Sequence, residues 1–177
     1  NNKLHFPVDP TSRKEALVGG ILSCNASGFI PGPAGATRFW TEGLEFLTPN
    51  GHKISCKRGE YISENGEFIL EFPDKSVTMK ILTYPRPDIK NASGPYSDAD
   101  GFIDLVDLIV GSEGIFGLIT SVIFRLKEMP TEFLDLFFTL PTEMDAVNFH
   151  QYISNHFNGD LSQITALEYF GYNCQPY

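Results

Sequence analysis

Cysteine is scarce: Cys24, Cys56 and Cys174 are the three thiols in 177 residues, an odd count at wide spacing with no CxxC pair. That excludes a disulfide framework and a zinc knuckle, suits a reducing compartment, and, with no basic-then-apolar leader at the N-terminus, makes the cytoplasm the expected location. Long apolar runs are missing too. The most hydrophobic stretches are interrupted by Asp104 and Asp107 or stop at Arg125, so no membrane-spanning segment is expected. Positive charge is in deficit, with 13 Lys+Arg against 22 Asp+Glu and a net charge of −9. A chain so acidic does not track nucleic acid through phosphate neutralisation, nor does it coat an anionic membrane. There is no GxSxG, and His5, His52, His150 and His156 are tied by no motif to a nucleophile.

What is present is the material of a core: 42% hydrophobic residues, 13% aromatic. A chain of this length can bury about two-thirds of its unfolded surface without a staple. Its charge is unevenly distributed. Residues 1–59 carry seven basic and four acidic side chains, a net of +3, and the remainder carries −12. A local cationic surplus suits one small anionic ligand better than a polyanion, and it equally suits chance scatter.

Turn chemistry organises the chain. Pro49-Asn50-Gly51-His52, between Leu44–Thr48 and Lys53–Cys56, predicts a hairpin. Asn65-Gly66 ahead of Phe68–Phe72 predicts a second extended pair, with Ser76–Leu82 a further strand. Pro85–Gly101 reads as a long structured loop. Apolar spacing predicts a short helix over 104–110, its acids on one side, and Leu118–Leu126 reads as a buried strand. After Pro130 the expected order is strand (133–140), helix (142–157, capped by Thr142 with Asp145), then strand (161–170). One β-α-β unit closes no core alone, so 131–177 reads as the beginning of a second domain, and the chain as a piece of something longer.

Two glycine-rich segments carry the most specific signal. In Gly111-Ser112-Glu113-Gly114-Ile115-Phe116-Gly117 the glycines allow positive φ and leave amides to point at a ligand. The GxxGxxG spacing in helix-turn-strand order is not the dinucleotide GxGxxG, which needs strand-turn-helix. The same spacing also serves a tight helix-to-strand connection. Val18-Gly19-Gly20 through Asn25-Ala26-Ser27-Gly28 offers a small-residue surface on which something flat could lie, or a close strand crossing. Asp9–Ser12 suits a turn. Cys24 reads as a thiol nucleophile or, better, as a buried inert cysteine. The acids from Asp98 to Glu113 read as a solvated face rather than a metal cage. Residue chemistry therefore favours a scaffold that holds a cofactor over one reacting through its own side chains.

Six segments in order, Phe6–Ser12, Val18–Gly20 with Asn25–Gly28, Gly35–Arg38, Gly43–Glu45 to Gly51, Lys90–Gly94, and Gly111–Gly114 with Gly117–Thr120, resemble one family across residues 6–126. It is the FAD-linked oxidases with the PCMH-type (vanillyl-alcohol oxidase) FAD-binding domain, and the chain most resembles the group of glycolate oxidase, D-lactate dehydrogenase and alkyldihydroxyacetonephosphate synthase. The resemblance implies an α+β fold in which residues 1–130 are the second FAD-binding subdomain, mostly antiparallel sheet with flanking helices. Residues 131–177 would be the first β-α-β of a ferredoxin-like cap. It implies that Pro10, Thr11, Ser12, Gly19, Gly20 and Ser23, with Cys24, Asn25, Ala26 and Gly28, line the flavin and its ribityl phosphate. Glu113, Gly114, Gly117, Ile119 and Thr120 would lie toward the adenosine, Ile119 through its main chain. The +3 segment falls on the flavin-phosphate side.

The implied activity is an oxidoreductase, a flavoprotein dehydrogenase or oxidase, moving hydride from a small 2-hydroxy acid or alcohol to FAD and passing electrons to a separate acceptor. No catalytic acid or base and no metal ligand is assigned. Lys90 is a loop cation near the flavin or a solvated lysine. The family's PGGGT-like pyrophosphate loop lies upstream of these residues, so the isolated segment is expected to be inactive and to hold FAD poorly. Gly94-Pro95-Tyr96 stands where relatives have a Gly-Tyr pair, which implies a displaced loop. The alternative is a non-enzymatic α+β module whose glycine turns are only structural.

Overall fold

The computed structural model describes residues 3–87, 89–92, 94–171 and 174. It is a small α+β structure of antiparallel sheets with few helices. Ser93, part of the Lys90–Gly94 segment, lies outside the described residues.

The sheet that positions the site has β2 (Thr41–Leu47) at its centre, between β3 (Lys53–Lys57) and β6 (Leu118–Phe124), all antiparallel. The Pro49–His52 turn sets the β2–β3 register, with Leu44 opposite Cys56 and Phe46 opposite Ile54, so the alternate residues of β3 that face inward are Ile54 and Cys56. Asn65-Gly66, both at positive φ, forms a tight turn closing the Glu64–Glu67 bridge. It leads into the hairpin of β4 (Glu67–Glu71) and β5 (Ser76–Lys80). Across these strands packs the helix at Leu105–Ile109, where Leu105, Val106, Leu108 and Ile109 are all buried with Phe68, Leu70, Leu44 and Leu22. Its Asp104 N-cap accepts from the Val106 amide at 2.9 Å. A smaller cluster of Val8, Ile30, Ala34 and Trp40 lies beside it. A two-residue bridge joins β1 (Leu4–His5) to β7 (Lys127–Glu128). The remaining helices are α1 (Val18–Ser23), α2 (Thr37–Trp40), the Leu105–Ile109 segment as α3, and α4 (Glu143–His156).

Three strand expectations need correction. β6 is an edge strand: only alternate residues such as Val122 and Phe124 pack on the core, and Leu118 and Ile123 stay exposed. Residues 133–140 and 164–170 form no ladder with any described strand, so α4 is not flanked by a sheet. Alternating apolar composition marks a segment able to pair, but a strand exists only where a partner accepts its hydrogen bonds. α4 forms with no buried residue because its start is locally satisfied: Thr142 and Asp145 make a reciprocal capping box.

Candidate functional site

Gly111 is where three of the sequence segments meet. Its φ is +82°, and a Cβ there would lie 2.9 Å from Arg38 Nη2 and 3.0 Å from Asn25 Cβ, so no other residue fits without displacement. Its amide donates to the Leu22 carbonyl at 2.9 Å, and the Glu113 amide donates to the Ser23 carbonyl at 2.8 Å, fastening the 111–117 turn onto the end of α1. Gly94, beside a cis peptide to Pro95, packs directly on the Gly111 carbonyl with no room for a side chain. The backbone of Asp9 lies equally close to Gly28, which brings the 9–12 turn against the 25–28 segment.

These bonds correct the expectation that the turn's amides face a ligand. Those of Gly111, Glu113, Ile115 and Gly117 donate to the carbonyls of Leu22, Ser23, Ser112 and Gly114. The Gly114 amide alone among the motif glycines 111, 114 and 117 meets no acceptor among the described residues, and Gly114 is exposed at φ +81°.

The other expected site residues sort by what they touch. Gly19 and Gly20 lie in a helix rather than a strand crossing, and a Cβ on either would meet nothing within 4 Å. Gly20, Cys24, Glu113 and Gly114 are exposed and Gly19 and Ser23 partly so, and the Glu113–Ser23 bond sets the turn beside the end of α1. Cys24 is therefore exposed, not the buried thiol expected; Cys56 is the buried one, its thiol pushed up to about 12 by burial and the nearby Asp104 and Glu60 carboxylates. Pro10 is buried in its turn, where Thr11 and Ser12 stay exposed.

Asn25, fully buried, accepts at Oδ1 from the Arg38 amide at 2.9 Å and leaves Nδ2 without a partner among the described residues. The Ala26 carbonyl accepts from both the amide and hydroxyl of Thr37, a structural role. Gly117, Ile119 and Thr120 lead away along β6. A Cβ on Gly117 would strike the Leu47 carbonyl, the Ile119 side chain packs on the core, and the Thr120 hydroxyl bonds Glu45 Oε1 at 2.8 Å.

Asn25 also lines a cavity of about 650 Å³ between α2 and the loop that follows Pro85. Arg58 grips Asp107 through two bonds of 2.8 and 3.0 Å and also reaches the Arg38 carbonyl at 2.7 Å. Arg38 donates to the Val110 carbonyl at 2.5 Å and the Asp107 carbonyl at 3.2 Å. Burial brings the Arg38 guanidinium down to about 10 against the opposing pull of Asp107, which leaves it charged at neutral pH. Arg38 and Arg86 both lie over the Tyr96 ring, 4.7 and 4.8 Å from its centroid. Asp104 and Asp107 are thus a cap and an ion-pair partner, not a solvated face. Two cations of the +3 segment are internal for the same reason.

Lys90 corrects another expectation. It is not a solvated lysine: its Nζ donates to the Gly28 carbonyl at 2.5 Å and the Ile30 carbonyl at 3.0 Å, holding the loop to the 25–28 segment, and burial lowers its pKa. Sequence reasoning missed the cavity because its lining comes from segments far apart in the chain. The one available signal was the pair of arginines, Arg38 and Arg58, in a segment otherwise rich in small residues.

No family model matches the chain. It is 26% identical over 167 residues to the D-2-hydroxyglutarate dehydrogenase of Stutzerimonas stutzeri (strain A1501), covering 94% of this chain and 27% of that protein. It is 33% identical over 145 residues to the mitochondrial D-lactate dehydrogenase (cytochrome) of Arabidopsis thaliana, covering 82% and 19%. To the glycolate oxidase protein GlcD of Bacillus subtilis (strain 168) it is 27% identical over 127 residues, covering 72% and 19%. The chain spans between 19% and 27% of the length of these curated relatives.

Proposed function

We propose, from the chain's similarity to a D-2-hydroxyglutarate dehydrogenase, a D-lactate dehydrogenase and a glycolate oxidase protein, that it belongs to the FAD-linked oxidases and is the cofactor-holding part of an FAD-dependent oxidoreductase acting on a small 2-hydroxy acid or alcohol. In this reading residues 1–130 are the second subdomain of a PCMH-type FAD-binding domain, and 131–177 begin the substrate-side cap. The observation that carries it is that the 111–114 turn is fastened to the end of α1 and Asp9 packs on Gly28, with the exposed Gly114 amide meeting no acceptor among the described residues. The residues present fit a flat nucleotide cofactor: nothing projects over Gly19 and Gly20, and backbone there can be approached closely.

When bound, the flavin would supply the hydride-accepting chemistry and pass electrons to a separate acceptor. The chain's own part is to bind and orient. Gly114 offers a donor to a cofactor oxygen, Ser23 and Thr11 offer hydroxyls, and the Lys90 bonds hold the 25–28 segment in place beneath them. Ile119, Thr120 and Gly117 stand further along the same path as the adenosine side. None of these groups is placed to move a proton, so the acid-base work belongs to other parts of the protein.

The test uses the full-length gene product that contains these residues. Purified protein should show flavin absorption in the visible spectrum, and a preparation that stays colourless after FAD addition argues for the non-enzymatic module. In the same protein, Gly114→Val should raise the FAD dissociation constant about tenfold or more, since a β-branched residue cannot hold φ +81° and the ligand-facing amide moves. Unchanged affinity would remove the turn from the cofactor site.

A further inference from the structure

We propose that Arg38 is a positioning residue of the candidate cofactor site: by answering the last carbonyls of α3 it ends that helix, holds the 111–114 turn against α1 and keeps the Gly114 amide open. The ligand it serves rests on the flavin reading above. α3 is five residues long and leaves carbonyls at its C-terminus for others to satisfy. In a continuing helix the Asp107 carbonyl would accept from the Gly111 amide and the Val110 carbonyl from the Gly114 amide. Neither bond forms. The Gly111 amide donates to the Leu22 carbonyl instead, and the Gly114 amide meets no acceptor among the described residues. Arg38 supplies the donors in their place, Nε to the Asp107 carbonyl at 3.2 Å and Nη2 to the Val110 carbonyl at 2.5 Å. The two carbonyls it answers are those whose helical donors would be the two glycines of the turn.

The same residue holds the other side of the site. Its backbone amide donates to Asn25 Oδ1 at 2.9 Å, so one residue of α2 ties the 25–28 segment to the end of α3. Its Nη2 fills the space that a side chain at Gly111 would need. Arg38 is braced in turn. It is buried, with its guanidinium over the Tyr96 ring, and its carbonyl accepts from Arg58 Nη2 at 2.7 Å. Arg58 is forked onto the Asp107 carboxylate, which closes a loop of bonds from α2 through Arg58 to α3 and back. A planar guanidinium reaches two carbonyls from one fixed plane, whereas a lysine ammonium on its flexible stem does not reproduce that fork. Without the fork the two carbonyls are left to the amides of the turn, and each amide that turns back lengthens α3 at the expense of the site.

Arg38→Lys in the full-length gene product tests this, with FAD as the probe. It keeps the charge and loses the fork. The expected result is an FAD dissociation constant raised about tenfold, the loss of one charge-assisted bond, together with an altered visible circular dichroism of the bound flavin. Asp107→Asn loosens the Arg58 brace and should raise the constant a few-fold, and it carries the test if Arg38→Lys does not fold. Leu70→Ala, which shortens a buried side chain of β4 and leaves every bond of Arg38 in place, is the control for lost stability. Its urea midpoint should fall while its FAD affinity and flavin dichroism stay those of the parent. Parent affinity and dichroism in folded Arg38→Lys and Asp107→Asn overturn the proposal, and so does an equal loss in Leu70→Ala, which reduces Arg38 to a stabilising residue. A parent protein that takes up no FAD overturns the flavin reading, and the role of Arg38 falls with it; a parent that binds FAD with variants that bind it equally well overturns the role of Arg38 alone.

Discussion

Residues 3–130 and 131–171 are built from similarly apolar sequence yet reach different ends. In the first stretch Phe68 of β4 and Leu105, Val106 and Leu108 of α3 are almost wholly enclosed where that helix lies across two antiparallel sheets. In the second, Phe133, Leu134, Leu136 and Phe137 are between 65% and 88% exposed, and Leu161 is the single buried hydrophobic among the described residues. The second stretch holds one regular helix, α4, closed by a side-chain cap, and touches the first through a few bonds such as Lys127 Nζ to the Ser162 carbonyl at 2.8 Å. Hydrophobicity is thus a demand for a partner rather than a guarantee of one. Where strands find ladders the demand is met inside the chain, and where they do not the apolar residues stay on the surface.

That contrast breaks if mutational sensitivity turns out equal in the two stretches. Phe68→Ala should cost about 4 kcal/mol in urea unfolding, as deletion of an enclosed aromatic leaves a cavity. Asp107→Ala should cost about 3 kcal/mol by the same measurement, because it strands Arg58 and Arg38 beside each other without their shared carboxylate. A smaller effect is pH-linked. With the folded Cys56 thiol raised to about 12, the folded chain keeps a proton that the unfolded chain releases above its ordinary thiol value. Stability is therefore full below about pH 8.5 and declines as pH rises, by about 2 kcal/mol at pH 10. Cys56→Ser should flatten that decline, and a thiol reagent at pH 8 should label exposed Cys24 and spare Cys56 until the chain unfolds. The smallest effect belongs to Phe137→Ala, expected within about 0.5 kcal/mol of the parent. A large loss there would mean that the 133–140 segment is packed in solution.

Local rules were legible wherever a few neighbouring residues settle the matter. Asn50-Gly51 and Asn65-Gly66 both mark real turns, Thr142 with Asp145 makes the cap its spacing suggests, and the helix-turn-strand order around Gly111 is as expected. The glycine at 111 could be singled out from sequence, but its reason could not. It is required because φ is +82° and Asn25 and Arg38 crowd the space a Cβ would take, and those residues are distant in the chain. Lys90 misled for the same cause: a lysine in a polar loop reads as solvated until the carbonyls of Gly28 and Ile30 are seen beside it.

The sequence alone determined that this is an acidic, thiol-poor, core-forming chain with antiparallel hairpins and two small-residue segments that resemble those of FAD-linked oxidases, since composition, turn residues and motif order are properties of neighbours along the chain. Only the tertiary structure decided which thiol is buried, which glycine amide stays open, and that Arg38, Arg58 and Asp107 join to wall a cationic cavity. Those outcomes depend on burial and on contacts between segments more than forty residues apart, where desolvation and hydrogen-bond geometry, rather than local preference, set the energy.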